Sequence, residues 1–379
     1  MKKVLFIIPN LSHGGTNKCL ENILPFLCKS YDISIISLME EGIYKERFTP
    51  YNLFPLNIKF YKTKRNLFFR IINRLSNNIF LNILFKKHAI ITERKLQPDL
   101  VVAFQEGNAT LFTSHFTQRK IAWIHCDYKL YREIVSSKNE LTTYNKFNKI
   151  ICVSNYTKES FLNYYPNLIL KTDFIYNLLD FQKIRNLASI KIIDSQFIFN
   201  STTFTIISIG RYSEVKQFEK IPKIVSNILE KNPSKKIRWY IIGDGSKKLI
   251  EETKRLIGLY NLEKEVILLG AKDNPYPYII NSNLLVSLSR SEACPYVINE
   301  GKILNIPVLS TDYPSAKELI DNGKTGIISN INDFPEMIYH LIENTDNIYN
   351  KLKIYSDNNK YNNDDIILKI NNLIDNIIK

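Results

Sequence analysis

The sequence predicts an α/β protein made of two doubly wound parallel sheets, and three observations point there. Short apolar runs of strand length alternate with longer amphipathic stretches. That alternation breaks once, over residues 186–203. The 379 residues, 45% hydrophobic and 12% aromatic, are too many for one ordinary core and enough for two. Residues 1–185 are therefore expected as one domain, 186–203 as a linker, and 204–379, with the C-terminal helices, as a second domain.

In the first half the strand-like runs are Val4 to Ile8, Ile33 to Leu38, Leu100 to Phe104, Ile121 to Ile124 and Ile150 to Val153. In the second they are Thr205 to Ile209, Trp239 to Ile242, Val266 to Leu269, Leu284 to Leu288 and Val308 to Ser310. Each is continuously apolar rather than alternating, as expected of strands covered on both faces. Ligands of such sheets bind beyond the carboxyl ends of the strands, so the residues following each run are the candidates for chemistry.

Bulk properties narrow the class. The formal charge is +14, of which residues 1–180 carry +11, so the first half is expected to meet something anionic. Five scattered cysteines with no Cys-x-x-Cys pair argue against a disulfide framework or zinc knuckle and for a reducing cytosol. The apolar run Val4 to Ile8 stops at Pro9, too short for a signal peptide, and no stretch nears the ~20 apolar residues that span a bilayer. No Asp-x-Asp occurs and the five histidines show no metal-ligand spacing, so no metal and no cofactor are expected.

After the first strand, Asn10-Leu-Ser-His-Gly-Gly-Thr16 is a glycine turn opening a helix. Gly14 and Gly15 could offer amides to a phosphate or simply make a tight turn. After the Ile121 run stands His125, either structural or catalytic. After Thr205 to Ile209, Arg211 and Lys216 share one loop entering a helix, which suits a diphosphate but also an ordinary surface. Gly243-Asp-Gly245 is a turn of low specificity. In Ser289-Arg-Ser-Glu-Ala-Cys-Pro-Tyr-Val-Ile-Asn-Glu-Gly301, Glu292 falls on a loop, Pro295 suits a helix start, and Glu300 lies inside the helix, on the face of Tyr296. The two acids can then address different groups, or form a solvated surface pair.

In order and spacing these pieces resemble retaining glycosyltransferases of the GT-B fold, family 4, also called group 1. The resemblance rests on Gly210-Arg211 with Lys216, Ile-Ile-Gly-Asp-Gly, GAKDNPYPY from Gly270, Ser-Arg-Ser-Glu with the second Glu after seven residues, Pro-Val-Leu-Ser-Thr-Asp, and Glu318 with Gly323 and Gly326. It implies two Rossmann-like domains facing a central cleft and a hexosyl-type sugar transfer from a nucleotide sugar, UDP-linked. The implied acceptor is a lipid-linked oligosaccharide or glycan in bacterial capsule, O-antigen or other surface polysaccharide assembly.

The resemblance also implies roles. Arg211 and Lys216 would hold the donor diphosphate in place of a metal, aided by backbone at Ala293, Cys294, Tyr296 and Val297. Glu300 would read the ribose, and Gly270 and Ala271 would adjoin the base. Glu292 and His125 would serve the donor sugar as catalytic residues, and Gly14 and Gly15 would close over the phosphates. Two positions depart from the family pattern: Gly301 where alanine is usual after the second glutamate, and Thr16-Asn17-Lys18 where an acid usually follows the glycine pair.

Residues 62–95 carry nine Lys and Arg against one acid, with Phe68, Ile72, Leu75, Ile79 and Ile83 at steps of three or four. This reads as a basic amphipathic helix that docks either on its own domain or on an anionic membrane, with the charge favouring the membrane. The expected location is cytoplasmic, peripheral to the inner face of the cell membrane, with no nucleic acid partner. A nucleotide-sugar epimerase of the same architecture and a catalytically silent scaffold are the alternatives.

Overall fold

The computed structural model describes residues 1–12, 14–40, 42–56, 79–135, 139–200, 202–231, 233–343, 352 and 363–379. They form two compact units, one of residues 1–179 with 361–379 and the other of residues 180–360.

The first unit holds β1 (Lys2–Ile8), β2 (Tyr31–Ser37), β3 (Leu53–Pro55), β4 (Leu100–Ala103), β5 (Arg119–Ile124), β6 (Lys149–Cys152) and β7 (Thr172–Phe174). The sheet is parallel throughout, ordered β3-β2-β1-β4-β5-β6-β7, with its reversal between β1 and β4. One core cluster sets Leu5, Ile7 and Val101 against Phe85, Ala89 and Phe112. Another sets Ala122, Ile124 and Ile150 against Tyr128, Tyr144 and Phe161. Helix-covered strands of this kind explain why the apolar runs do not alternate.

The second unit holds β8 (Phe204–Ile209), β9 (Ile237–Ile242), β10 (Val266–Gly270), β11 (Leu284–Ser287), β12 (Val308–Thr311) and β13 (Ile327–Ser329), ordered β10-β9-β8-β11-β12-β13 and again parallel. Its largest fully buried side chain, Trp239, keeps its indole N–H satisfied by donating to Ser208 Oγ at 3.0 Å, and that hydroxyl donates to the Val286 carbonyl at 2.7 Å. Burial of the indole body is thereby achieved without stranding its polar atom.

Three findings differ from the sequence-based division. The segment expected as a linker is folded onto the second unit. Helix Phe181–Ala188 starts that unit, with the Asp180 side chain accepting from the Lys183 amide at 2.9 Å. Further on, Phe197 packs its ring on Tyr240 and Tyr278, and Asp194 pairs with Lys272 at 2.7 Å.

The last helix, Asn363–Ile378, joins the first unit. Ile366, Ile370, Ile374 and Ile377, four and three residues apart, make a buried stripe, and Tyr31 donates its hydroxyl to Asp375 Oδ1 at 2.8 Å.

The third difference concerns the basic arm, whose residues 62–78 lie outside the described residues. Helix Ile79–Leu96 docks on its own unit through Phe85 and Ala89, not through Ile83, which is 63% exposed. Burying the Phe85 ring contributes about 1.5–3 kcal/mol and selects that face.

Candidate functional site

In the second unit the candidate residues lie at the carboxyl ends of β8, β10 and β11. The turn after β8 is pressed against the turn after β9, and glycine makes this possible. A Cβ on Gly243 would lie 1.8 Å from the Gly210 carbonyl oxygen, so Gly243-Asp-Gly245 is a packing device. Arg211 extends from this turn as an exposed side chain, its stem over Gly245.

Lys216 turns back, its aliphatic stem passing over Gly210, and its ammonium pairs with the Glu292 carboxylate. The same Glu292 Oε1 accepts from Ser289 Oγ at 2.8 Å. The loop carrying Glu292 is tied down along its backbone. The Arg290 amide donates to the Val215 carbonyl at 2.9 Å, Ser315 Oγ to the Glu292 carbonyl at 2.6 Å, and Thr311 Oγ1 to the Ser289 carbonyl. Spacing alone did not reveal the direct pairing of Lys216 with Glu292, because 76 residues separate them.

Helix Tyr296–Ile303 opens at Pro295, with Ala293 and Val297 buried and Cys294 and Tyr296 half-buried. Glu300, within that helix, is buried, and Tyr276 donates its hydroxyl to Glu300 Oε1 at 3.2 Å. Tyr276 lies in the GAKDNPYPY stretch, so the fold brings two distant motifs into contact.

Gly301 now has a physical account. A Cβ there would sit 2.9 Å from a Val308 methyl group and 3.3 Å from a Leu285 methyl group, so the glycine lets the Glu300 helix lie close on the sheet. Gly270, at φ +70°, takes the left-handed conformation that favours glycine, and both it and Ala271 are exposed.

In the first unit Gly14 is the exposed residue preceding helix Gly15–Leu27, and Gly15 is the first residue of that helix. Asn17, within the Thr16-Asn17-Lys18 stretch that departs from the family pattern, is buried and donates Nδ2 to the carbonyls of Asn10 (3.1 Å) and Ser12 (2.8 Å), bracing the turn.

His125 follows β5, with its ring centroid 4.7 Å from that of Phe104 and 6.4 Å from that of Trp123. Its Nε2 is buried without a protein partner among the described residues. Burial pushes its pKa down to about 3, so the imidazole is neutral at physiological pH. Its backbone amide donates to Glu106 Oε2 at 2.9 Å. Glu106, a lone acid in Phe104-Gln-Glu-Gly107, gave no sequence signal. No group of three His, Cys, Asp or Glu side chains able to hold a metal occurs among the described residues.

Residues 189–361, most of the second unit, match the family model of the glycosyl transferases group 1. That stretch is similar to the group 1 glycosyl transferases. An uncharacterized glycosyltransferase of Methanocaldococcus jannaschii is 29% identical over 236 residues, which span 58% of this chain and 57% of that protein. A Campylobacter jejuni relative, N-acetylgalactosamine-N,N'-diacetylbacillosaminyl-diphospho-undecaprenol 4-alpha-N-acetylgalactosaminyltransferase, is 24% identical over 352 residues, spanning 90% of this chain and 89% of its own. The crystal structure of Anabaena HepE in complex with UDP and glucose has a TM-score of 0.75 at 17% identity, covering 99% of this chain and 100% of that one. With its two parallel-sheet units, the chain has the GT-B fold.

Proposed function

We propose that the protein transfers a sugar from a UDP-sugar, with retention and without a metal ion, to a lipid-linked oligosaccharide or glycan acceptor in bacterial surface polysaccharide assembly. One observation carries the reading: within the second unit, Arg211, Lys216 and Glu292 lie on loops at the carboxyl ends of neighbouring strands, and Glu300 lies in the helix after one of those loops. The family match over those residues supports it, as do the UDP bound by HepE and the diphospho-undecaprenol substrate named for the Campylobacter relative.

Cleavage of a glycosyl phosphate builds negative charge on the departing diphosphate and positive charge on the sugar. Arg211 and Lys216 would stabilise the first, with the amides of Ala293, Cys294, Tyr296 and Val297, and with Gly14 and Gly15 closing over the phosphates. The Glu292 carboxylate and the neutral imidazole of His125 would accept from and donate to hydroxyls of the donor sugar, Glu292 lying beside the reacting carbon. Glu300 would read the ribose, and the exposed Gly270 and Ala271 would adjoin the base. Work on a lipid-linked acceptor places the protein at the inner face of the cell membrane, held there by the cations of residues 62–95.

A panel of UDP-sugars scored for UDP release, with and without lipid extract, tests the reading. One donor should release UDP several-fold faster with the extract. Interconversion of the sugar with no acceptor would establish an epimerase instead, and absence of both reactions across the panel would establish a silent scaffold.

A further inference from the structure

The loop that carries His125 is anchored on both sides of that residue by acids the proposed chemistry does not use. Upstream, the His125 amide donates to Glu106 Oε2 at 2.9 Å. Downstream, Asp127 caps helix Tyr128–Ile134 by accepting from the Lys129 amide at 3.0 Å, and it also accepts from the hydroxyls of Tyr156 at 2.9 Å and Ser160 at 3.2 Å.

Asp127 is an ordinary helix cap reinforced by two hydroxyls. Glu106 is different. It is 9% exposed, its partners are the His125 amide, its own amide and the Cys126 and Gln105 side chains, and burial raises its pKa above the usual carboxylate range. A carboxyl group buried among neutral partners is unfavourable unless the geometry it imposes is needed.

The segment bearing Glu106 is itself fixed. The Phe104 amide donates to the Ile7 carbonyl at 2.9 Å, Thr110 Oγ1 donates to the Gln105 carbonyl at 2.9 Å, and Gly107 turns at φ +80° into helix Asn108–Thr113. The Phe104 ring of this segment packs against the His125 imidazole. One short segment therefore holds both the backbone and the ring of the histidine.

We infer that Glu106 is a positioning residue for His125, its carboxyl oxygen fixing the histidine amide while the adjoining Phe104 ring fixes the imidazole, so that Nε2 is held ready for a sugar hydroxyl. The inference rests on the proposed role of His125 in sugar transfer. Preorganisation of this kind matters because a catalytic group displaced by about 1 Å can cost on the order of a hundredfold in rate.

The test uses the full chain labelled with ¹⁵N-histidine, which gives five amide signals, together with the variants Glu106→Ala and Glu106→Gln. In the parent, the His125 amide should be protected from hydrogen exchange, and it should stay protected in Glu106→Gln, which keeps an acceptor oxygen. In Glu106→Ala protection should be lost and kcat should fall about tenfold or more, with donor KM and calorimetric UDP binding within about twofold of the parent. Glu106→Gln should keep kcat within about threefold of the parent.

Rapid exchange of the His125 amide in the parent overturns the inference without any variant, as does continued protection in Glu106→Ala. An equal fall of kcat in Glu106→Gln and Glu106→Ala also overturns it, since carboxylate charge rather than acceptor geometry would then be at work. Loss of protection in Glu106→Ala with parental kcat also overturns it, because the anchor would then not serve turnover, whereas parental kcat in His125→Ala would refute the role of His125 itself.

Discussion

Lys216 and Glu292 hold each other: the ammonium is ion-paired with the carboxylate oxygen that also accepts the Ser289 hydroxyl, and each side chain is about four-fifths buried. Both residues are also proposed to act on the donor, one at the diphosphate and the other at the sugar. A diphosphate arriving at Lys216 must compete with Glu292 for one ammonium. The pair is partly shielded from water, so this competition is screened less than it would be between exposed side chains.

Removing the competitor should therefore separate affinity from turnover. Glu292→Gln keeps the shape and an acceptor oxygen for Ser289 but releases Lys216. Free UDP should bind about threefold to tenfold more tightly, the equivalent of roughly 1 kcal/mol, while kcat falls at least about tenfold. Calorimetric titration with UDP beside donor kinetics measures both. Weaker UDP binding in the variant would mean that Glu292 assists the diphosphate rather than competing for its cation.

Arg211 is exposed and makes no ion pair among the described residues, so removing it should leave the fold intact. Arg211→Ala should lose about tenfold to a hundredfold in kcat/KM, as expected for charge-assisted bonds worth roughly 1.5–3 kcal/mol. Parental turnover at limiting and saturating donor would refute the diphosphate assignment, provided thermal melting shows the parent Tm.

Glu300 and Tyr276 should fail together and differently from Glu292. If Glu300 reads the ribose, it touches a part of the donor that does not react, so Glu300→Ala should raise donor KM with little change in kcat. Tyr276→Phe keeps the ring and removes only the hydroxyl that donates to Glu300 Oε1, so KM should rise in the same direction by a smaller factor. A fall in kcat with unchanged KM in either variant would place the pair at the reacting sugar.

All ten strands expected from apolar runs are present, because each is covered on both faces and must be apolar throughout. The three that were not expected, β3, β7 and β13, are three-residue strands at sheet edges, too short to write a pattern. The expected linker is instead held on the second unit by Asp194, Phe197 and Ile198, which bind Lys272, Tyr240 and Tyr278 without any periodic spacing that a sequence pattern could show. At the site, residue types marked Arg211, Lys216, Glu292 and Glu300. Ser289 beside Glu292, Tyr276 beside Glu300 and, in the first unit, Glu106 beside His125 carry no such mark, since a single hydroxyl or carboxyl acquires meaning only when folding supplies its neighbour.

Acid should destabilise the first unit before most of its carboxylates titrate. Burial, with Lys146 and Lys86 nearby, pushes His115 down to about 4, and burial pushes His125 to about 3, against an ordinary value near 6.5. The unfolded chain takes up these protons first, so the stabilisation is complete above pH 6.5 and is lost as pH falls toward those values. Between about pH 7 and 5, where few carboxylates titrate, Tm should fall, and it should fall less steeply in His115→Gln. Identical slopes in parent and variant would show that His115 is not held neutral.

The proposed membrane contact combines two chemistries that salt can separate. On helix Ile79–Leu96, Ile83, Ile90 and Ile91 are exposed alongside Lys86, Lys87, Arg94 and Lys95, so the surface opposite the docked face mixes apolar and cationic groups. The cations before it in sequence, Lys62 to Arg74, add to the same charge. Each basic residue near an anionic leaflet contributes about 1 kcal/mol, and screening removes most of this once the Debye length shrinks to roughly 3 Å at 1 M salt. The protein should therefore sediment with anionic vesicles at low salt, bind neutral vesicles poorly, and come off at high salt. Replacing Lys64, Arg65, Arg70 and Arg74 by Gln should weaken binding at low salt. If the isoleucines also enter the interface, a fraction will resist salt and disappear in Ile83→Ser/Ile91→Ser, because apolar burial is not screened. Parental vesicle binding by both the glutamine and the serine variants would remove this region from any membrane contact and leave the helix only its role in the core.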